Sequence, residues 1–465
     1  MTAVAPRRDL HGITPDGPEL LPLDAGEQYR FSFEMDACIG CHSCEVACAE
    51  QNGNPVGVDW RRVGEVEGGT FPNTRRFSIS MACNQCLEPA CLQGCPTNAY
   101  VKLANGVVQH HADDCIGCQY CMWNCPYDVP VFNATRRVVT KCDMCQPRLE
   151  AGRAPACVQA CPTHAIKVEK VDVAQWRADH AAADAPGLPP SGLTISTTRI
   201  IPPKNLPLPA TVAGQDRVEP EHPHLPLVAL TVLSQIAVGA VSATVVLESL
   251  VAILGARSEV GDALGRGALA AFLLGACALG ASLLHLGRPA VAWKALRNLR
   301  TSWLSREVAL LGAFVAAALG YALARALQLP GLLPGVIAVL LGGAGVFASG
   351  RLYLIPARPM WNSPRTIVGF FATALALGPL VTLLAVGAPT LPQTWARAVL
   401  LIAVAGAALQ LATWRHLMRT ASRHGAREYH VAARLLWGRF RTLVVARILL
   451  GGVGAVAVLI ALTAT

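Results

Sequence analysis

The sequence predicts an α+β protein in two parts: a duplicated two-cluster ferredoxin domain of short strands and cysteine-bearing loops, then an all-α polytopic transmembrane helix bundle. Three observations carry this expectation. Sixteen of the seventeen cysteines fall between Cys38 and Cys161, in four groups of four. The composition, 53% hydrophobic and 15% charged, is too apolar for an ordinary soluble chain of 465 residues. Charge is also segregated: residues 1–224 hold 25 acids against 19 Lys and Arg, whereas 225–465 hold 20 Lys and Arg against five acids. A mildly acidic module therefore precedes a basic, membrane-embedded one. Because the positive charge lies between apolar runs rather than on a soluble face, nucleic acid is not an expected partner.

The cysteine groups are Cys38, Cys41, Cys44 and Cys48; Cys83, Cys86, Cys91 and Cys95; Cys115, Cys118, Cys121 and Cys125; and Cys142, Cys145, Cys157 and Cys161. Groups one and three have the C-x2-C-x2-C-x3-C spacing of two-cluster ferredoxins, in which the fourth cysteine ligates the other cluster of a pair. Pro96, Pro126 and Pro162 follow the last cysteine of groups two, three and four, as an internal duplication would leave them. Four [4Fe–4S] clusters are the expected cofactors, with these sixteen cysteines as metal ligands. Structural zinc favours closed sites built from two C-x2-C pairs, and a disulfide scaffold belongs to short secreted chains, so both readings fit less well. Spacing leaves open which groups pair. Cys277, in an apolar helix, reads as a packing residue.

In chain order, residues 1–28 form a polar tail; its Arg7-Arg8 pair precedes Asp9, Asp16 and Glu19 and no apolar run, unlike a twin-arginine signal. Residues 29–171 form the cluster domain, with strands expected over Tyr29–Met35, Thr74–Met81, Gly106–Gln109 and Ala165–Val171, and a surface loop over 50–73. Residues 172–224 read as a proline-rich linker. The membrane domain, 225–465, has seven apolar segments of spanning length at 226–254, 265–286, 307–325, 334–354, 366–387, 396–414 and 443–463. An eighth span would have to use 416–440, whose Arg and His content opposes insertion.

With seven spans, sixteen Lys and Arg lie on the side that carries the cluster domain and four on the other. The positive-inside rule then places the cluster domain in the cytoplasm and the C-terminus outside a plasma (inner) membrane. Clusters move single electrons, so the chain reads as a wire that needs a membrane partner. A transmembrane b-type haem takes axial ligands such as paired histidines, and of the twelve histidines only His285 falls within an expected span. No haem is therefore expected, and an exchangeable quinone or quinol is. His285 ends the second span in H-L-G-R-P-A-V-A-W-K-A-L; it is either a helix-end residue or a quinone and proton-handling group. Glu248 and Glu307 are candidates for proton handling, Glu307 with an alternative capping role beside Ser305. Arg288 is a candidate partner for either acid or for a quinone carbonyl.

The cysteine pattern, including the eleven-residue gap between Cys145 and Cys157, resembles the electron-transfer subunit of the dimethyl sulfoxide reductase (molybdopterin oxidoreductase) family. The run from His285 to Glu307 is similar to that family's haem-free, quinol-binding membrane anchor. The chain thus looks like a fusion of two subunits that are usually separate. The anchor usually has eight spans, against seven expected here. The resemblance implies that group one pairs with four and two with three: Cys38, Cys41, Cys44 with Cys161; Cys142, Cys145, Cys157 with Cys48; Cys83, Cys86, Cys91 with Cys125; and Cys115, Cys118, Cys121 with Cys95. Cys118 stands where some nitrate reductase relatives carry Trp and a three-iron cluster, which implies four cubanes here. The resemblance further implies a separate molybdopterin-containing catalytic subunit near the Cys38 cluster, quinone exchange nearest the Cys115 cluster, and His285 as the quinol histidine. The expected role is electron transfer and anchoring in a quinone-linked complex of anaerobic respiration, of the S- or N-oxide reductase or sulfite dehydrogenase type. The cytoplasmic orientation is more like the sulfite dehydrogenases. A redox hub passing electrons from ferredoxin to quinone without molybdenum is the alternative.

Overall fold

A computed structural model describes residues 13–14, 17–18, 20, 22–185, 188–213, 223–254, 258–423 and 427–449. The chain divides into two compact units, Met1–Arg217 and Val218–Thr465.

The first unit is organised by β-pairing between segments far apart in sequence. After the small pair β1 (Ile13–Thr14) and β2 (Gly17–Pro18), β3 (Glu27–Glu34) alternates Phe31 and Phe33 into the core. It pairs antiparallel with β10 (Ile166–Asp172), from Ile166 opposite Phe33 to Asp172 opposite Glu27, and parallel with β11 (Arg199–Ile201). This ladder ties the start of the domain to its end. A second sheet joins β4 (Arg62–Thr70), β5 (Asn73–Met81) and β12 (Ala210–Val212) in the order β12-β4-β5. The surface loop expected over 50–73 is therefore half strand: β4 pairs with β5 over its full length. Its glycines disguise it, but Val66 and Gly68 bury one face and β12 covers the other edge. The segment 172–224 likewise contributes β11 and β12 to these sheets and carries α6 (Val173–Asp179).

The unit also has two short hairpins, β6 (Tyr100–Lys102) with β7 (Val108–His110) and β8 (Val131–Asn133) with β9 (Val138–Thr140). Five short helices carry or flank cysteines: α1 (Ser43–Asn52), α2 (Ala90–Gly94), α3 (Tyr120–Asn124), α4 (Gln146–Glu150) and α5 (Ala156–Gln159). The duplication is visible in the backbone. In C-I-G-C-H the residues Gly40 and His42 have φ of 66° and 61°; in C-I-G-C-Q, Gly117 and Gln119 have 69° and 60°. Both loops need a left-handed glycine between the cysteines, which turns successive sulfurs toward one point.

The second unit contains α7 (Leu225–Leu254), α8 (Ser258–His285), α9 (Trp303–Ala326), α10 (Leu332–Leu352), α11 (Pro364–Val386), α12 (Gln393–Arg423) and α13 (Arg427–Trp437). Among the described residues six of these, α7 to α12, are long and apolar enough to cross a membrane. Most of the expected span at 443–463 lies outside the described residues. Residues 415–423, expected in a connection, instead extend α12 as a charged helical end, and α13 follows. Helix α7 is the hub, packing on α8, α10 and α11. Its Gly239 meets α11 at Gly378 with backbone against backbone: a Cβ on either glycine would overlap the other helix. Beside this crossing the Thr382 hydroxyl donates to Ala240 O at 2.9 Å.

Substituting Leu at Gly378 should therefore destabilise the bundle by about 1–3 kcal/mol or more through overpacking. Leu at Gly343, where an added Cβ would meet nothing within 4 Å, should leave the melting temperature nearly unchanged. Thermal unfolding in detergent compares the two; equal melting would show that the crossing is not the packing constraint.

Candidate functional site

The cysteines expected to share clusters come together in the first unit. Cys38, Cys41, Cys44 and Cys161 line one hollow, brought to it by the β3–β10 ladder and α1. Cys83, Cys86, Cys91 and Cys125 line a second. Packing of α1 on α5 sets Cys48 beside Cys157, with Cys142 and Cys145 as their neighbours. Packing of α2 on α3 gathers Cys95, Cys115, Cys118 and Cys121. Each quartet draws its fourth sulfur from a different group, in the crossed manner of paired clusters.

Among the described residues, no three His, Cys, Asp or Glu side chains converge closely enough to hold a single metal ion. In the two hollows the sulfurs surround a space instead, as the corners of an iron–sulfide cube require. Their hydrogen bonding suits metal-bound thiolates. Gly117 N–H donates to Cys115 Sγ at 3.3 Å, Met144 N–H to Cys142 Sγ at 3.3 Å and the Thr194 hydroxyl to Cys86 Sγ at 3.1 Å. Burial, and then neighbouring cysteines, push Cys48 and Cys86 up to about 12. Thiols so displaced keep their protons at neutral pH unless a metal takes the proton's place.

Two buried cations stand among these sulfurs. Arg61 is 3% exposed; it donates to Ser80 Oγ at 3.0 Å, and Ser80 Oγ lies 3.4 Å from Cys44 Sγ. Burial alone would lower its pKa, but negative charge on Cys157, Cys142, Cys44 and Cys48, which metal binding would supply at neutral pH, outweighs this and raises it. Lys141, also 3% exposed, donates from Nζ to Cys142 O at 2.8 Å and to Val108 O. Burial again opposes the charge, and Cys83, Cys91, Cys142 and Asp143 restore it. Sequence reading missed both: Lys141 beside Cys142 looks like any solvated charge, and Arg61 is far from every cysteine in the sequence.

In the second unit the four candidates do not form one cluster. His285 is the last residue of α8, and its ring meets His224 edge-on at 4.9 Å between centroids. His224 had no signal in the sequence, because it lies in the proline-rich stretch before α7. Arg288 precedes a short 3-10 turn, Pro289–Leu296, that leads toward α9. Glu307 is buried in α9 at this end of the bundle, with the Ser349 hydroxyl beside it. It does not cap the helix: Ser302 is the N-cap and accepts from Ser305 N–H at 3.4 Å, a turn earlier. Glu248 sits at the opposite end. Tyr321 donates to it at 2.6 Å, and Arg325 contacts it at 3.3 Å while also donating to Gly261 O near the start of α8.

Comparison with known proteins divides the chain in the same two places. A family model described as DMSO reductase anchor subunit (DmsC) matches residues 219–465, and one described as 4Fe-4S dicluster domain matches 75–171. Over 177 residues the sequence is 38% identical to a chain of the anaerobic dimethyl sulfoxide reductase of Haemophilus influenzae, covering 36% of this protein and 86% of that one. It is 36% identical over 167 residues to the corresponding chain of the Escherichia coli reductase, covering 34% and 82%. It is 38% identical over 160 residues to a subunit of the sulfite dehydrogenase of Allochromatium vinosum, covering 30% and 67%. Iron–sulfur clusters are thus the cofactors of the first unit, and the second makes this a multi-pass membrane protein. The protein belongs to the DMSO reductase anchor subunit family and joins to that anchor, in one polypeptide, the iron–sulfur subunit of a DMSO reductase-type complex.

Proposed function

We propose that this fused chain holds four [4Fe–4S] clusters and carries electrons between membrane quinone and a separate molybdopterin-containing catalytic subunit. Its electron-transfer and anchoring role is that of its family. The single observation that carries the fuller reading is the gathering of sixteen cysteines into four crossed quartets. Bound there, the clusters supply one-electron redox chemistry. The chain's own residues do the rest: the thiolates and the N–H donors beside them hold each site.

At the membrane end, His285 is the proposed quinone contact. An imidazole at a helix terminus near the bilayer surface can take a proton from a quinol hydroxyl or return one to a quinone oxygen. Arg288, in the turn that follows, can orient a quinone carbonyl, and Glu307 is a buried acid at the same end of the bundle. Glu248, held by Tyr321 and Arg325 at the far end, is better suited to locking helices than to this exchange. The arginine-rich connections favour a cytoplasmic cluster domain in the plasma (inner) membrane. The reductase and sulfite dehydrogenase relatives favour an S- or N-oxide reductase or a sulfite dehydrogenase as the assembled enzyme over a molybdenum-free hub.

Replacing His285 with Ala should abolish quinol-dependent cluster reduction while leaving iron at about 16 atoms per chain. Unchanged quinol kinetics in H285A would refute the quinone assignment. Gentle detergent purification should also recover a molybdenum-containing subunit with this protein; repeated recovery of the protein with full iron and no such subunit would count against the proposed partner.

A further inference from the structure

The two buried cations have surroundings that their fold role does not explain. Arg61 is almost wholly buried, yet its Nε and one terminal nitrogen find no hydrogen-bond partner among the described residues. Its other contacts are the Ser80 hydroxyl and the face of Phe31, 4.7 Å from the guanidinium carbon. Orphaned guanidinium N–H groups in an interior are costly unless an acceptor meets them. Through Ser80, Arg61 is tied to Cys44 of the Cys38 quartet, and Cys48, Cys142 and Cys157, most of the next, are near enough to act on its charge. Lys141 repeats this one step along. It lines the hollow of Cys83, Cys86, Cys91 and Cys125, while its charge also acts on Cys142. An ammonium has three donors, and the carbonyls of Val108 and Cys142 accept two of them.

We propose that Arg61 and Lys141 are fixed cations set between successive cluster sites, giving N–H···S hydrogen bonds to metal-bound sulfur and holding up the reduction potentials of the clusters they flank. Reduction adds an electron to a buried, anionic cluster, and a buried cation alongside stabilises that added charge more than it stabilises the oxidised form. Donation to sulfur acts in the same direction. The cluster of Cys48, Cys142, Cys145 and Cys157 feels both cations; that of Cys38 feels Arg61, and that of Cys83 feels Lys141. Tyr100 takes the corresponding place between Cys91 of the third quartet and Cys121 of the fourth, with an uncharged hydroxyl instead of a cation. Arg61 and Lys141 are thus positioning residues that tune the wire without ligating it.

This inference rests on the cluster reading above, and iron content separates the two: wild-type protein without iron would overturn that reading. The test is redox titration followed by electron paramagnetic resonance on the full-length membrane protein, comparing wild type with Arg61→Gln, Lys141→Met and the charge-keeping Arg61→Lys and Lys141→Arg. Each neutral variant should lower the midpoint potentials of two clusters, and one cluster should move in both. The charge-keeping variants should stay near wild type. Neutral variants with full iron and unmoved potentials would overturn the proposal. Should they lose iron, pulsed resonance of reduced wild-type protein labelled at the arginine guanidinium nitrogens decides the matter: hyperfine coupling to a guanidinium nitrogen is expected, and its absence would overturn donation from Arg61 to the cluster.

Discussion

The antiparallel ladder between β3 and β10 is the constraint from which the first unit follows. It brings residues more than a hundred positions apart into register, and so delivers Cys161 to the hollow of Cys38, Cys41 and Cys44. The ladder is braced by Arg30, which pairs with Glu169 at 3.1 Å and stacks on Trp176 at 4.6 Å. Much of the interior that other domains fill with aliphatic side chains is here filled with thiols, which leaves a thin apolar core around Phe31, Phe33, Val107 and Met144. Metal–sulfur bonds therefore substitute for part of the hydrophobic stabilisation, as in other small metal-binding folds.

Buried charge is handled differently in the two units. In the first, cations are placed against thiolates, so burial is balanced by metal-bound sulfur. In the second, Glu248 meets Tyr321 and Arg325 across α7 and α9, so the charges balance within the bundle. One arrangement serves a redox site, and the other fixes helices. A buried pair contributes little net stability, but breaking it leaves an uncompensated charge and costs about 3–5 kcal/mol.

Much of this was legible in the residues. Cysteine spacing is dictated by cluster geometry, so the four groups could be read before any fold was known, whereas their pairing into quartets came only from the family resemblance. Strands such as Tyr29–Met35 and Ala165–Val171 were legible because apolar and polar residues alternate along them in the sequence. Strand β4 was not, because Gly64, Gly68 and Gly69 mask an alternation that only its neighbours β5 and β12 complete. The charged end of α12 read as a loop because its Arg and His residues dominate the sequence there and hide a narrow buried face, Met418 and Ala421. Polar pairs made by distant segments, His224 with His285 and Glu248 with Arg325, leave no local periodicity to detect.

The Glu248–Arg325 contact also bears on how the bundle is made. The two residues belong to the first and third spanning helices, and α8 inserts between them in chain order. A carboxylate in a lone apolar helix is costly in lipid, and so is an arginine. Helix α7 thus reaches the membrane carrying a debt of polarity that is settled only when α9 docks. Docking of α9 on α7 is therefore what pairs this carboxylate, which makes the first and third spanning helices depend on each other.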